Sequence, residues 1–292
     1  MTDAPLLFDR RTMRARAERR MRLHEGADFL LKRVAEDLAE RLQPVLRPFP
    51  LMLDLGTADD SMALQLHRVR PDSYLLRAAP MTGTGSHAVV ADIEAQPFAP
   101  ASVDLITSGL ALQHANDLPG ALVQIRRTLK PDGLFIGCLA GGATLTELRQ
   151  SLTEAESEIT GGVSPRVFPF ADVRDMGGLL QRAGFALPVA DSESLIVRYA
   201  DMFRLMADLR AMGATNTLAA RSRRFTRRAV MLKAAEIYAR RFADADGRIR
   251  ATFEIIWLSG WAPHESQQKP LKPGSAKQRL ADALGVPEQK PE

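Results

Sequence analysis

Leu51-Met52-Leu53-Asp54-Leu55-Gly56 is an apolar run that ends in an acid and a glycine, and a helical pattern succeeds it from Ser61. Open parallel sheets bind ligands beyond the carboxyl ends of their strands, where this glycine falls. A glycine there lets the backbone approach a ligand closely. Free N–H groups at a helix start near Asp60-Ser61 favour a ligand carboxylate. The turn alone is common in α/β proteins, so the ordered spacing of the later apolar runs and their polar ends carries more weight. Asp92-Ile93-Glu94 comes after a third short apolar run. Val103–Ile106 opens a fourth, which continues through Ser108, Gly109 and Leu110 into Gln113-His114. Acids and polar groups thus recur at successive strand ends. His114 has two readings of equal weight, a residue facing a substrate and a surface-loop histidine.

Other chemistries find little support. The remaining histidines, at 24, 67, 87 and 264, are scattered, and no metal site is expected. Cys138 is the lone cysteine, which excludes an internal disulfide and a cysteine-based zinc site. It lies in an apolar run and reads as a buried thiol without an activating base. No apolar run is long enough to span a bilayer, and the N-terminus lacks a signal-like core, so a cytoplasmic protein is expected. The net charge of +4 is unevenly placed, with arginine-dense stretches at Arg10–Arg22 and Arg221–Arg228. Both have helical patterns, and neither holds a succession of aromatics that could stack on bases; Phe225 is the one aromatic between them. They read as solvated helix faces or a surface for an acidic protein partner, and no nucleic-acid partner is expected.

The elements that must position these residues emerge from periodicity. With 46% hydrophobic and 25% charged residues, the 292-residue chain is globular. Phe29, Leu30, Val34, Leu38 and Leu42 mark a helix, and Pro44, Pro48 and Pro50 end it. Strands are expected at 51–55, 73–77, 87–91, 103–108 and 134–139, with helices at 61–69 and 117–129 between them. That alternation demands a mainly parallel sheet with helices on both faces. Further helices are expected at 144–159, 172–183, 200–212 and 226–243, and strands at 195–199 and 249–258. The chain divides into an N-terminal helical segment (1–50), an α/β domain (51–265) with a helical cover at about 144–243, and a mobile tail (266–292).

Together Asp54, Gly56, Asp92, the 103–114 segment and the Lys130-Pro131-Asp132-Gly133 turn resemble the S-adenosylmethionine (SAM)-dependent methyltransferase superfamily of class I, with its Rossmann-like fold. The resemblance implies SAM as cofactor. Asp54 and Gly56 would approach its methionine and ribose ends, and Asp92 and Ile93 would meet its adenine. The backbone of Ser108, Gly109 and Leu110 would face the transferring methyl, with Gln113 and His114 near the acceptor. Six further segments resemble one branch more closely: Phe8-Asp9-Arg10, Asn116–Pro119, Leu129–Gly137, Thr144–Arg149, Met212–Asn216 and Gly260–Gln267. That branch holds the assembly factors of respiratory complex I, relatives of the malonyl-carrier-protein methyltransferase of biotin synthesis. For its mitochondrial members it implies hydroxylation of an arginine on a complex I subunit, so a protein substrate is implied here.

Departures from the superfamily pattern lie in the cofactor loop. Ala58 and Asp60 replace two of three spaced glycines. Asp60 falls near the place of the cofactor's carboxylate, or caps its own helix. The end of the second strand, Leu76-Arg77-Ala78-Ala79-Pro80, lacks the acid that grips the ribose. Losing a hydrogen bond to a charged group of ~1.5–3 kcal/mol implies weak cofactor binding. Arg77 could instead face an anionic ligand such as a phosphorylated nucleoside. Two alternative functions arise: a non-catalytic assembly chaperone on a degenerate methyltransferase fold, and a carrier-protein-linked acid O-methyltransferase. His264-Glu265 reads mainly as a tie between the last strand and its neighbour.

Overall fold

The computed structural model describes residues 6–23, 28–80, 87–169 and 171–268. The expected tail at 266–292 falls almost wholly outside the described residues.

Two helices, α1 (Arg10–Leu23) and α2 (Phe29–Leu42), precede the sheet. Then come β1 (Leu51–Leu55), α3 (Ser61–Val69), β2 (Tyr74–Ala79), β3 (Ala88–Val90), β4 (Val103–Gly109), α4 (Leu118–Thr128) and β5 (Leu129–Ala140). The second half holds α5 (Thr146–Thr160), α6 (Val173–Arg182), β6 (Ala186–Tyr199), α7 (Met202–Ala211), α8 (Arg228–Phe242) and β7 (Ile249–Trp261). One seven-stranded sheet runs β3-β2-β1-β4-β5-β7-β6. The first five strands are mutually parallel, and β7 and β6 close the edge antiparallel. The order reverses between β1 and β4, which opens a crevice above their carboxyl ends.

Strand alternation splits the apolar residues between two layers. Met52 joins Leu38 of α2, Leu66 of α3 and Ile237 of α8 in one core. Leu53 and Leu55 join Leu122 of α4 and Leu180 of α6 in the other. Each fully buried leucine contributes roughly 1.5–3 kcal/mol. The helix α6 therefore lies opposite α5, α7 and α8, outside the helical cover expected at 144–243. Cys138 is fully buried in β5, and burial pushes its thiol up to about 12.

Two strands are longer than their sequence suggests. The expected β6 covers only 195–199, but the strand pairs with β7 from Ala186. It is an edge strand whose residues alternate between half-buried and exposed, so its polar Asp191–Ser194 segment faces partly outward and hides the periodicity. In β5 the register jumps from Val103↔Leu129 to Leu105↔Leu134. The Pro131-Asp132-Gly133 turn is extruded there, with Asp132 at φ 62°. Lys130 Nζ reaches Asp104 at 2.9 Å, and Gln267 Nε2 donates to Asp132 Oδ1 at 2.9 Å. The segment around His264 thus ties the end of β7 to this turn and stays away from the crevice.

Candidate active site

The first turn after β1 is built by one hydroxyl. Thr57 Oγ1 donates to Asp54 Oδ1 at 2.5 Å and accepts from the Gly109 N–H at 3.0 Å, which pins the ends of β1 and β4 together. Gly56 is at φ 82°, and an added Cβ would stand 2.8 Å from both Ala111 Cβ and Ile93 Cγ2. A side chain there would be strained and would collide, so glycine is required. Ala58 keeps an ordinary backbone conformation. The Gly→Ala change therefore costs no φ strain.

Asp60 does not cap α3. Asp59 Oδ1 accepts from the Ser61 N–H at 3.0 Å instead, while Asp60 pairs with Arg77. The Arg77 Nη2 also donates to the Asp59 carbonyl at 2.7 Å, and its Nε lies 3.7 Å from Asp54 Oδ2. Arg77 is thereby folded against the outer side of the loop and faces no ligand space.

A cavity of about 740 Å³ opens over the strand ends. Gly56, Ala79, Asp92, Ile93, Leu110, Gln113 and His114 are among the residues that line it. Asp54, Ser108 and Gly109 sit beneath it. Asp54 is only 1% exposed, and burial raises its carboxyl to about 6 despite the Thr57 hydroxyl and Arg77 nearby. These three residues shape the floor; Gly56, Asp92, Ile93 and Leu110 form the surface. Ala79 falls one step beyond the Leu55↔Ala78 pair, beside Gly56, at the strand end where the resemblance implies an acid and this chain has none.

The role of α1 is not apparent from the sequence. Met13, Ala17 and Met21 line the cavity, and so do the half-buried Arg16 and Arg20, which contradicts the expected solvated face at those two positions; Arg14 borders the cavity but stays exposed. The helix is fastened at both ends. Arg10 pairs with Asp92 (3.0 Å) and with Glu94, while Arg20 donates to the Ala58 carbonyl at 2.7 Å and pairs with Asp59 at 2.5 Å. Spacing of 13, 14, 17, 20 and 21 holds this signal, but the arginines make the inner face look solvated.

Motifs distant in sequence meet here. The Phe8 N–H donates to Asn116 Oδ1 at 2.8 Å, and the Asp9 N–H to the Thr217 carbonyl at 2.9 Å. Phe8, His114 and Phe168 pack edge to face with centroids 5.1–6.0 Å apart. His114 is enclosed enough that burial lowers its pKa to about 4, so it is neutral at physiological pH. Its Nδ1, Gln113 Oε1, Thr215 Oγ1 and Thr217 Oγ1 are all buried, line this cavity and lack a hydrogen-bond partner. Buried polar atoms without partners are costly, and they mark where a ligand would bind. Thr215 belongs to the Met212–Asn216 segment that the sequence singles out, but its place in the cavity, and that of Thr217, shows only once Met212–Thr217 is folded against α1. Among the described residues no cluster suits a metal ion, and no helix is long and apolar enough to cross a membrane.

Comparison with known proteins places this geometry. Residues 53–137 match a methyltransferase domain family. The arginine-hydroxylase NDUFAF5, mitochondrial, of Danio rerio is 39% identical over 286 residues, covering 94% of this chain and 89% of its own length. A malonyl-[acyl-carrier protein] O-methyltransferase of Gallionella capsiferriformans is 31% identical, covering 88% and 92%. Among solved structures, the YcgJ protein of Bacillus subtilis superposes with a TM-score of 0.53 at 14% identity, covering 79% of this chain and 98% of that one, which shows the fold alone. The cytoplasmic expectation does not stand, because the arginine-hydroxylase relatives are mitochondrial proteins by description. On the strength of these matches along nearly its full length, the chain belongs to the methyltransferase-fold family that contains the arginine hydroxylase NDUFAF5 and the malonyl-[acyl-carrier protein] O-methyltransferases.

Proposed function

We propose that the chain binds SAM in the crevice beside Gly56 and acts on a protein substrate in the assembly of respiratory complex I, the acceptor being a subunit of that complex. The carrying observation is the open cavity itself. Neither Arg77 nor the side chains of Asp59, Asp60 and Ser61 line it, so among the described residues none of these fills the space beside Gly56 and Asp92 that an adenosyl group would take. Its volume suits a cofactor and part of an acceptor. Gly56 would let the cofactor pass close to the backbone, with Asp92 and Ile93 at the adenine. Bound there, SAM supplies an activated methyl group on its sulfonium.

The protein's own part is to orient. The Nδ1 of neutral His114 and the Gln113 carbonyl oxygen are buried without partners in the lining of the cavity. They suit an acceptor rich in N–H donors, such as a guanidinium, and would hold it in one pose. Higher identity to the arginine hydroxylases than to the carrier-protein methyltransferases favours that acceptor over a carboxylic acid.

A second reading, a non-catalytic assembly platform, is favoured by two observations. Ala79 supplies no acid to a ribose, and Arg10 already engages both Asp92 and Glu94. Calorimetric titration with SAM and S-adenosylhomocysteine separates the two. Saturable binding of both supports the cofactor reading. No heat at roughly millimolar ligand leaves only the platform.

A further inference from the structure

Several features at the cavity mouth lower the stability of the fold without any return inside it. Phe225 is 103% exposed, with its ring in water. Arg223, Arg224, Arg227 and Arg228 surround it, all exposed, and none forms an ion pair among the described residues. Arg227 and Arg228 stand at the start of α8, where the helix has no side-chain cap and no acid in its first turn. Cations are unfavourable at that end of a helix dipole. Further inward, the Arg16 Nε is buried without a partner. Its surroundings are Arg19, Arg210 and Arg221, and burial and these charges lower its pKa. Arg210 has no carboxylate partner among the described residues either.

These groups are contiguous with the site. Thr226 lines the cavity and accepts a hydrogen bond from Arg166 Nη1 at 2.9 Å, so Phe225 and its arginines flank the opening. Arg16 and Arg210 line the cavity behind them. Local rules broken together at one place point to function. Uncompensated positive charge around one exposed aromatic ring is the composition of a protein-binding hot spot. A single ring lacks the succession of stacking platforms that single-stranded nucleic acid uses.

We propose that residues 223–228, with Arg16 and Arg210 behind them, form a docking rim for an acidic segment of the partner protein. Phe225 takes an apolar residue of that segment, and the segment's carboxylates neutralise Arg16 and Arg210 as the acceptor enters the cavity. This deepens the reading of a protein substrate and rests on it for the role of the docked segment. It also reconciles an arginine-lined mouth with a guanidinium acceptor, because the flanking acids screen the like charges.

The test uses the whole chain and a fluorescein-labelled short peptide of Glu, Asp and Leu, with its Gln/Asn counterpart as control, read by fluorescence anisotropy. The acidic peptide should bind at least about tenfold more tightly than the control and weaken with salt. R223Q/R224Q/R227Q and, separately, F225A should each weaken it several-fold, while calorimetric SAM binding stays as in the parent chain. Equal binding of the two peptides overturns the proposal. So does unchanged binding in both variants, or tighter binding of a single-stranded oligonucleotide or anionic phospholipid vesicles than of the acidic peptide at equal ionic strength. A parent chain that binds the peptide but not SAM would sink the cofactor reading and leave the docking rim standing.

Discussion

Replacing Asp54 by Asn should stabilise the protein, and the gain should depend on pH. The carboxyl of Asp54 is fully buried, and burial raises its pKa from 3.8 to about 6. The Thr57 hydroxyl at 2.5 Å and Arg77 at 3.7 Å pull it down without offsetting that burial. A folded-state pKa above the unfolded value means that protonation favours the fold. The penalty is therefore absent well below 3.8, grows as pH rises, and is complete above about 6. At about 1.4 kcal/mol per pH unit, the rise corresponds to about 3 kcal/mol. Asn keeps an oxygen for the Thr57 hydroxyl and removes the charge, so D54N should match the parent near pH 3 and exceed it by up to about 3 kcal/mol near pH 8. Urea unfolding of both proteins across that range reads the difference directly. Other carboxylates change stability with pH too, Asp9 and Glu156 in the opposite sense, but they cancel in the comparison. A difference independent of pH, or a parent more stable than D54N at neutral pH, would refute the account of a charge held beneath the crevice.

Three further outcomes are expected. Gly56→Ala should cost about 1–2 kcal/mol from the left-handed backbone alone, and the clash with Ala111 and Ile93 should abolish calorimetric SAM binding. The His114 imidazole should stay neutral down to about 4 in an NMR titration, whereas a midpoint near 6.5 would show the ring to be solvated. Because that pKa is depressed, the stability His114 contributes is present above 6.5 and lost as pH falls through about 4. Ala79→Asp should restore an acceptor for the ribose and tighten SAM binding roughly ten- to a hundredfold, and an unchanged affinity would show that the ribose lies elsewhere.

Within the parallel half of the fold, Leu51–Leu55 and Leu134–Leu139 are legible in the sequence because they are buried on both faces and read as unbroken apolar runs, whereas β2 and β3 are partly exposed. Gly56 is legible because it punctuates such a run at its carboxyl end, and the Asp92-Ile93 pair because it follows a short apolar run at the corresponding place. What escapes depends on tertiary contact. Thr57 reads as an ordinary turn residue until β4 comes alongside and gives its hydroxyl two partners. Arg77 reads as the absence of an acid or as a partner for an anionic ligand, and its actual role needs the positions of Asp59 and Asp60. The inner face of α1 is hidden by its own composition. Arginine normally signals solvent, but long stems can line an apolar wall while their heads find partners at its rim.

The deeply seated thiol of Cys138 has a practical use. With its proton held far above neutrality and no access from outside, it will not react with maleimides or disulfide probes while the protein is folded. The chain has no other cysteine. A cysteine introduced at the tip of the arginine-rich loop would therefore carry a single fluorophore or spin label, on an otherwise native background, and unwanted labelling of Cys138 would itself report that the molecule had come apart.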